Sequence, residues 1–318
     1  MSSRKPETIW RLMLLLAGTA ILFTLITNQS RSVTAQDDHT IYLPLISRPI
    51  VFTRGNNLLL NPSFEGEGDC QINPPHPELC WYHPGDIPEL QIPIRWVFDY
   101  ENQWDGRDCG HPPVCDNPLT PEPDDWWNAW IRPEVRVLPA QLLPPPEHPL
   151  FIWDGNNTLK VFKGYGAISY ILQQEVWLEP GTYVMEISVF PDLVVGYDDE
   201  GNKIPAPDPL SGEVEFRAGN TNSGWVLPSF LDKNTYYFVF IQSEAQLTQM
   251  RIAIRGRYAI QNNGWFMDDW WLWRQDDLGV PPGVYTGNGQ PALFAANHVP
   301  PTIPYTFPVG APVEQVDE

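Results

Sequence analysis

The sequence predicts an all-β chain built as a sandwich with large irregular loops, and two observations carry that reading. First, 35 prolines and 23 glycines among 318 residues leave little room for long helices, while 14 tryptophans supply apolar surface for a core. Second, seven stretches are enriched in β-branched and aromatic residues and bounded by turn residues. They are 158–162, 167–178, 181–190, 212–218, 236–242, 246–257 and 264–273. A region of this length is ordinary for a single β domain, here expected over 57–274.

Ahead of that region, Arg4, Lys5 and Arg11 precede an apolar run over 12–26 and a small-residue site, Val33-Thr34-Ala35, before Gln36. This order predicts a secretory signal peptide over residues 1–35, with an uncleaved membrane anchor as the alternative. Cleavage would remove four basic residues and one acid and move the formal charge from −20 to −23. Such a chain is a poor partner for nucleic acid or an anionic membrane and suits neutral polymers, basic partners or divalent cations. After cleavage no stretch is long and apolar enough to cross a bilayer, so the expected location is secreted or cell-surface associated.

Residues 36–56 read as a linker. The run Asn57-Leu58-Leu59-Leu60 reads as a strand ending in a turn at Asn61-Pro62, with Leu58 and Leu60 inward. From about 67 to 150 the chain is dense in Pro, Trp, Asp and Cys, and only 91–100 alternates, through Ile92, Ile94, Trp96 and Phe98. That is a long loop insertion. Its cysteines, Cys70, Cys80, Cys109 and Cys115, allow three pairings. In an oxidising destination the expected ones close two short loops, Cys70 with Cys80 and Cys109 with Cys115, and so staple the insertion. No Cys-x-x-Cys spacing favours a metal. Glu179-Pro180-Gly181-Thr182 is a tight turn between strands, the acidic turn over 198–202 lacks calcium-loop spacing and reads as solvated, and the Pro- and Gly-rich tail over 275–318 reads as extended.

The last strand, Gly-Trp-Phe-Met-Asp-Asp-Trp-Trp-Leu-Trp over 264–273, holds the strongest tension in the sequence. Strict alternation leaves a carboxylate on each face, Asp268 on one and Asp269 on the other. Two buried like charges cost several kcal/mol unless compensated. A bulge or kink is expected at the pair, with at least one Asp facing solvent or a cation.

Three segments in order carry a resemblance: Asn57-Leu58-Leu59-Leu60-Asn61-Pro62-Ser63-Phe64-Glu65, then Gln174-Glu175-Val176 with Glu179-Pro180-Gly181-Thr182-Tyr183, then Asp268-Asp269-Trp270-Trp271-Leu272. Together they resemble the carbohydrate-binding modules with the galactose-binding-like jelly roll, across 57–274 apart from the insertion. The resemblance implies a jelly-roll β-sandwich and a structural calcium held by Glu65 and Asp268 from the two ends of the domain. Calcium takes six to eight hard oxygen donors, which carboxylates and loop carbonyls could supply. The alternative is that Asp268 caps a turn or pairs with an arginine such as Arg257. The chain departs from the pattern in the bulky Trp270 and Trp271 after the acids and in the length of its insertion.

Catalytic signatures are absent: there is no nucleophile elbow, metalloprotease helix, Walker loop or dinucleotide fingerprint. Four of the six histidines, His76, His83, His111 and His148, sit directly before a proline in irregular sequence, a poor setting for an oriented base. Carboxylate pairs such as Asp124 with Asp125 or Glu101 with Asp105 arise by chance in so acidic a chain, so a glycosidase or lyase is the least favoured reading. Aromatics mixed with polar groups carry the better signal, because sugars offer apolar C–H faces and polar rims. Trp104 with Arg107, Trp126 with Trp127, and Lys163 with Tyr165 have that mixture on expected loops. The competing reading is that these rings anchor the insertion, since Trp is mostly buried. The sequence therefore points to a non-catalytic protein that binds a polysaccharide or glycan, with an extracellular module contacting an envelope protein partner as the alternative.

Overall fold

A computed structural model describes residues 50–72, 76–102, 130–164, 166–257 and 261–297. The leader, Trp104, Arg107, Cys109, Cys115, Trp126, Trp127 and Tyr165 lie outside the described residues. The strands are β1 (Trp81–Tyr82), β2 (Ile92–Pro93), β3 (Val97–Tyr100), β4 (Glu134–Pro139), β5 (Asn157–Lys163), β6 (Ile168–Leu178) and β7 (Gly181–Tyr197). They continue with β8 (Lys203–Pro205), β9 (Gly212–Ala218), β10 (Thr221–Val226), β11 (Asn234–Gln242), β12 (Gln246–Gly256), β13 (Asn262–Arg274) and β14 (Gly283–Thr286).

Two antiparallel sheets form the sandwich, in the orders β10-β9-β12-β6-β3 and β14-β11-β7-β13-β5-β4, with β8 added along β7. All seven strands read from the alternation are present. Their even or odd members meet in one core: Tyr170, Leu172, Ile252, Ile254, Val214 and Phe216 from the five-stranded sheet face Met185, Ile187, Phe238 and Met267 from the other. Phe216 stacks on Phe238 across the layers at 5.9 Å, and the Tyr170 hydroxyl lies 3.8 Å from the Met267 sulfur. Burying one such side chain stabilises the fold by about 1.5–3 kcal/mol, so the facing rows dominate its energetics.

The beginning of the domain is sewn to its last strand. Leu58 donates to the Leu272 carbonyl at 2.8 Å, and Trp270 donates to the Pro62 carbonyl at 3.1 Å. The Asn57 side chain reaches β13 from both ends of its amide, Nδ2 to the Trp270 carbonyl (2.9 Å) and Oδ1 from the Leu272 N–H (3.0 Å). The same Oδ1 caps the Leu59 N–H, so 57–60 runs beside β13 without becoming the expected strand. Side-chain directions change accordingly: Leu59 is the buried residue, while Leu60 is 55% exposed and Leu58 is half-buried. Phe64, Trp96 and Trp270 close the seam as an aromatic cluster with centroids 4.9–5.4 Å apart. Their buried N–H groups are satisfied, Trp96 Nε1 by the Asn61 carbonyl and Trp270 Nε1 by that of Ser188.

The insertion and tail contribute more than loops. Glu134–Pro139, expected inside the insertion, is β4 and pairs with β5 at the edge of the larger sheet. Gly283–Thr286, expected in an extended tail, is β14 and pairs with β11 at the opposite edge. The expected strand over 91–100 breaks at a turn where Arg95 has φ 79°. Cys70 and Cys80 form the expected disulfide.

Replacing Trp270 with Ala removes the centre of the aromatic cluster and is expected to cost about 3–5 kcal/mol. Equilibrium denaturant unfolding measures this, and a loss below about 1 kcal/mol would show that the cluster does not hold the seam.

Candidate functional site

Two places answer the sequence expectations: the acidic pair on the outer face of the larger sheet, and the outer face of the five-stranded sheet.

At the acidic pair the expected bulge is present. The β13–β7 register shifts between Asp268 and Trp271, and Asp269 takes the left-handed conformation at φ 55°. The bulge turns Trp270 into the core and leaves Trp271 opposite Glu186. Asp269 and Glu186 share Arg54, whose Nη2 lies 2.8 and 2.7 Å from their oxygens, and the guanidinium covers the Trp271 ring at 4.6 Å. Asp268 is fully buried and pairs with no arginine among the described residues. Its Oδ2 accepts from the backbone N–H groups of Trp153 (2.5 Å) and Asp154 (3.0 Å), and Oδ1 accepts from Asp269 N–H (2.7 Å). Arg257, the suggested partner, lies 2.8 Å from Glu213 instead.

Glu65 holds the other half of the same loop. Oε1 accepts from the N–H groups of Asn156 (2.8 Å) and Asn157 (3.0 Å), and Oε2 from the Asn157 side chain (2.7 Å). Between them sits Gly155 at φ 65°, where a Cβ would come within 2.1 Å of Glu65 Oε1, so only glycine lets the loop close on that carboxylate. Glu65 and Asp268 thus act from the two ends of the domain on one loop of backbone amides. This donor set does not fit the calcium that the resemblance implied. Calcium needs a shell of oxygens, whereas here N–H hydrogens point at both carboxylates, and no three His, Cys, Asp or Glu side chains converge among the described residues.

The outer face of the five-stranded sheet carries side chains in register across all five strands. One row runs Val97, Gln173, Arg251, Arg217, Asn222, and the next Asp99, Ile171, Ala253, Glu215, Trp225. Toward one end of the face Glu175 pairs with Gln249 and Trp177 with Leu247. A groove opens here, bounded by Leu60, Arg95, Val97, Gln173, Glu175 and Gln249. Beneath it the buried Gln174 works as a pin: its amide takes the Leu60 N–H (2.7 Å) and donates to the carbonyls of Leu60 (2.9 Å) and Arg95 (3.1 Å). One side chain thereby ties the N-terminal segment and the β2–β3 turn to β6.

At the other end of this face the charges neutralise each other. Arg217 Nε donates to Glu215 (2.5 Å), Arg257 and Arg255 lie 2.8 and 3.8 Å from Glu213, and Arg255 stacks on Trp225 at 3.5 Å. Burial pushes the Glu213 carboxyl up, and Arg257 and Arg255 pull it back. Lys163, from the expected binding set, lies on β5 in the other sheet, paired with Glu134 at 3.3 Å, and is not brought to the groove. Sequence reading missed Gln173, Glu175, Gln249 and Arg251. Their signal was present as the polar alternates between the apolar residues of β6 and β12.

No protein-family model and no curated protein matches the chain. Solved structures similar to it include the carbohydrate-binding module TmCBM61 in complex with β-1,4-galactotriose, at 13% identity and TM-score 0.39, covering 70% of this chain and 100% of that one. A cyclase from Fischerella sp. TAU in complex with 4-(1H-indol-3-yl)butan-2-one follows at 16% identity and TM-score 0.37, covering 70% and 98%. A family 16 carbohydrate-binding module aligns at 13% identity and TM-score 0.28, covering 44% and 85%.

Two outcomes are expected at the acidic pair. Burial pushes the Asp268 carboxyl up to about 8, against the N–H donors of Asp154, Trp153 and Asp269. An unfolded Asp releases its proton near ~4. The folded chain therefore binds the extra proton between these values, and Asp268's contribution to stability falls as pH rises through that window and levels off above it. Asp268→Asn is expected to remove this fall, measured as the urea midpoint across the window, and an unchanged slope would contradict it. Second, adding calcium or a chelator is expected to leave the melting temperature unmoved, whereas a calcium-dependent rise would mean that an ion displaces these amides.

Proposed function

We infer that this is an exported, non-catalytic sugar-binding sandwich whose groove on the five-stranded face receives a polysaccharide or glycan. The observation that carries the reading is the register of Gln173, Glu175, Gln249 and Arg251 on one open sheet face. Amide, carboxylate and guanidinium groups spaced by a β ladder match the alternating donors and acceptors of sugar hydroxyls. Strand-borne groups are also held more rigidly than loop-borne ones, which lowers the ordering cost of binding. The basic, apolar and small-residue leader supports export, and the lack of catalytic motifs in the sequence supports binding without turnover. Loop rings at Trp104, Trp126 and Trp127, with Arg107 and Tyr165, are proposed to add stacking. Association through a few hydroxyl contacts is expected to be weak and reversible.

A second reading rests on Trp177 and Leu247. They face each other across β6 and β12 and are 59% and 56% exposed, an apolar pair suited to a protein partner at the envelope.

Affinity electrophoresis against a panel of soluble polysaccharides tests the first reading. At least one polymer is expected to retard the chain, and Gln173→Ala with Gln249→Ala to abolish the retardation while Trp177→Ala leaves it intact. Retardation unaffected by the double variant would move the site off this face. Trp104→Ala and Trp126→Ala test the loop rings in the same gel. A reducing-end assay on any retained polymer is expected to show no release, and steady release would make the chain an enzyme.

A further inference from the structure

Arg251 and Arg95 stand out because of what they lack. The chain has 39 acidic residues against 19 basic ones, so a guanidinium at the surface has acids in excess to choose from. On this same face Arg217 takes Glu215, and Arg255 and Arg257 share Glu213. Arg251 donates only to the neutral Gln173 amide, at 2.9 Å, and neither it nor Arg95 has a carboxylate partner among the described residues. Arg251 also lies directly opposite Arg217 across the β12–β9 ladder. Like charges in that position destabilise a sheet.

Arg95 adds an independent sign. It bounds the groove, yet its backbone sits at φ 79°, a conformation natural for glycine and strained for an arginine. The strain persists because Gln174 holds the Arg95 carbonyl. Residues kept in sparsely populated conformations cluster at ligand sites. Gln173 lines the groove along with Arg95, and Arg251, hydrogen-bonded to Gln173 from the adjoining strand, stands beside the lining.

We propose that the glycan this groove takes is anionic, with a carboxylate or sulfate bound along the wall where Arg95 and Gln173 line the groove and Arg251 flanks Gln173. The inference rests on the sugar-binding reading and names the class of sugar. A planar guanidinium matches such groups with paired hydrogen bonds. The anion supplies the counter-charge that Arg251 otherwise lacks, and Glu175 on the groove wall accepts from neighbouring hydroxyls. The acidity of the whole chain does not oppose this at contact range, because charges beyond about 8 Å are largely screened at physiological salt.

The test is affinity electrophoresis and calorimetry of the full chain with polygalacturonate, its fully methyl-esterified form, dextran sulfate, dextran and β-1,4-galactan. Binding to polygalacturonate or dextran sulfate, at least about tenfold tighter than to the neutral counterpart, is expected, and the two arms tell carboxylate from sulfate. Arg251→Gln is expected to lose about tenfold or more, with Arg251→Lys recovering part of the loss. Arg95→Gly is the sharper variant: it should melt at or above the wild-type temperature, since glycine relieves the strained φ, yet bind less tightly. Equal or tighter binding of the neutral polymers, sensitive to Gln173→Ala, would overturn the anionic class and leave sugar binding standing. Binding of none of the five polymers would overturn the anionic class, and sugar binding with it if a wider neutral panel also fails.

Discussion

Two carboxylates, one from each end of the domain, grip one loop, and much of the molecule depends on that grip. Glu65 and Asp268 both spend their lone pairs on the amides of residues 153–157. An acid fully buried in an apolar strand would be among the costliest features of the fold if left alone. Backbone amides offset part of this with a preorganised shell of N–H groups, and the bulge sends the second carboxylate of the pair outward to Arg54. The tension visible in Asp268-Asp269 is therefore resolved twice, by two kinds of donor.

The seam also explains where the groove is. Once Asn57, Pro62 and the Phe64–Trp96–Trp270 cluster fix the N-terminal segment beside β13, Leu60 is left exposed at the rim of the five-stranded sheet. Gln174 then bonds Leu60 and Arg95 together. Strain at Arg95 is tolerable because the seam and the pin over-determine its backbone, which links stability at one sheet to the groove on the other.

Much of this was legible in the sequence, for identifiable reasons. Period-two alternation located all seven long strands, and adjacent acids inside an apolar run announced the bulge. Glu134–Pro139 was hidden because its neighbours are rich in proline, and Gly283–Thr286 because it brings only Val284 and Tyr285 to the core. Leu58-Leu59-Leu60 looked like a strand, yet Asn57 diverted it by capping Leu59. The grip of Glu65 and Asp268 on the amides of 153–157 was not readable, since a backbone amide leaves no mark in a sequence. The groove was hidden for a different reason: its polar lining consists of the alternates between the apolar residues of β6 and β12, which read in the sequence only as the outer face of a sheet.

The central claim is that the seam between residues 57–65, the 153–157 loop and β13 is part of the cooperative core and not a peripheral tether. Native-state hydrogen exchange of the full chain measures it most directly. The account predicts that the amides of Leu58, Leu60, Trp153, Asn157 and Leu272 exchange only through global opening, as slowly as the centre of β7. Exchange of these amides at the rate of free loops, with β7 still protected, would contradict it.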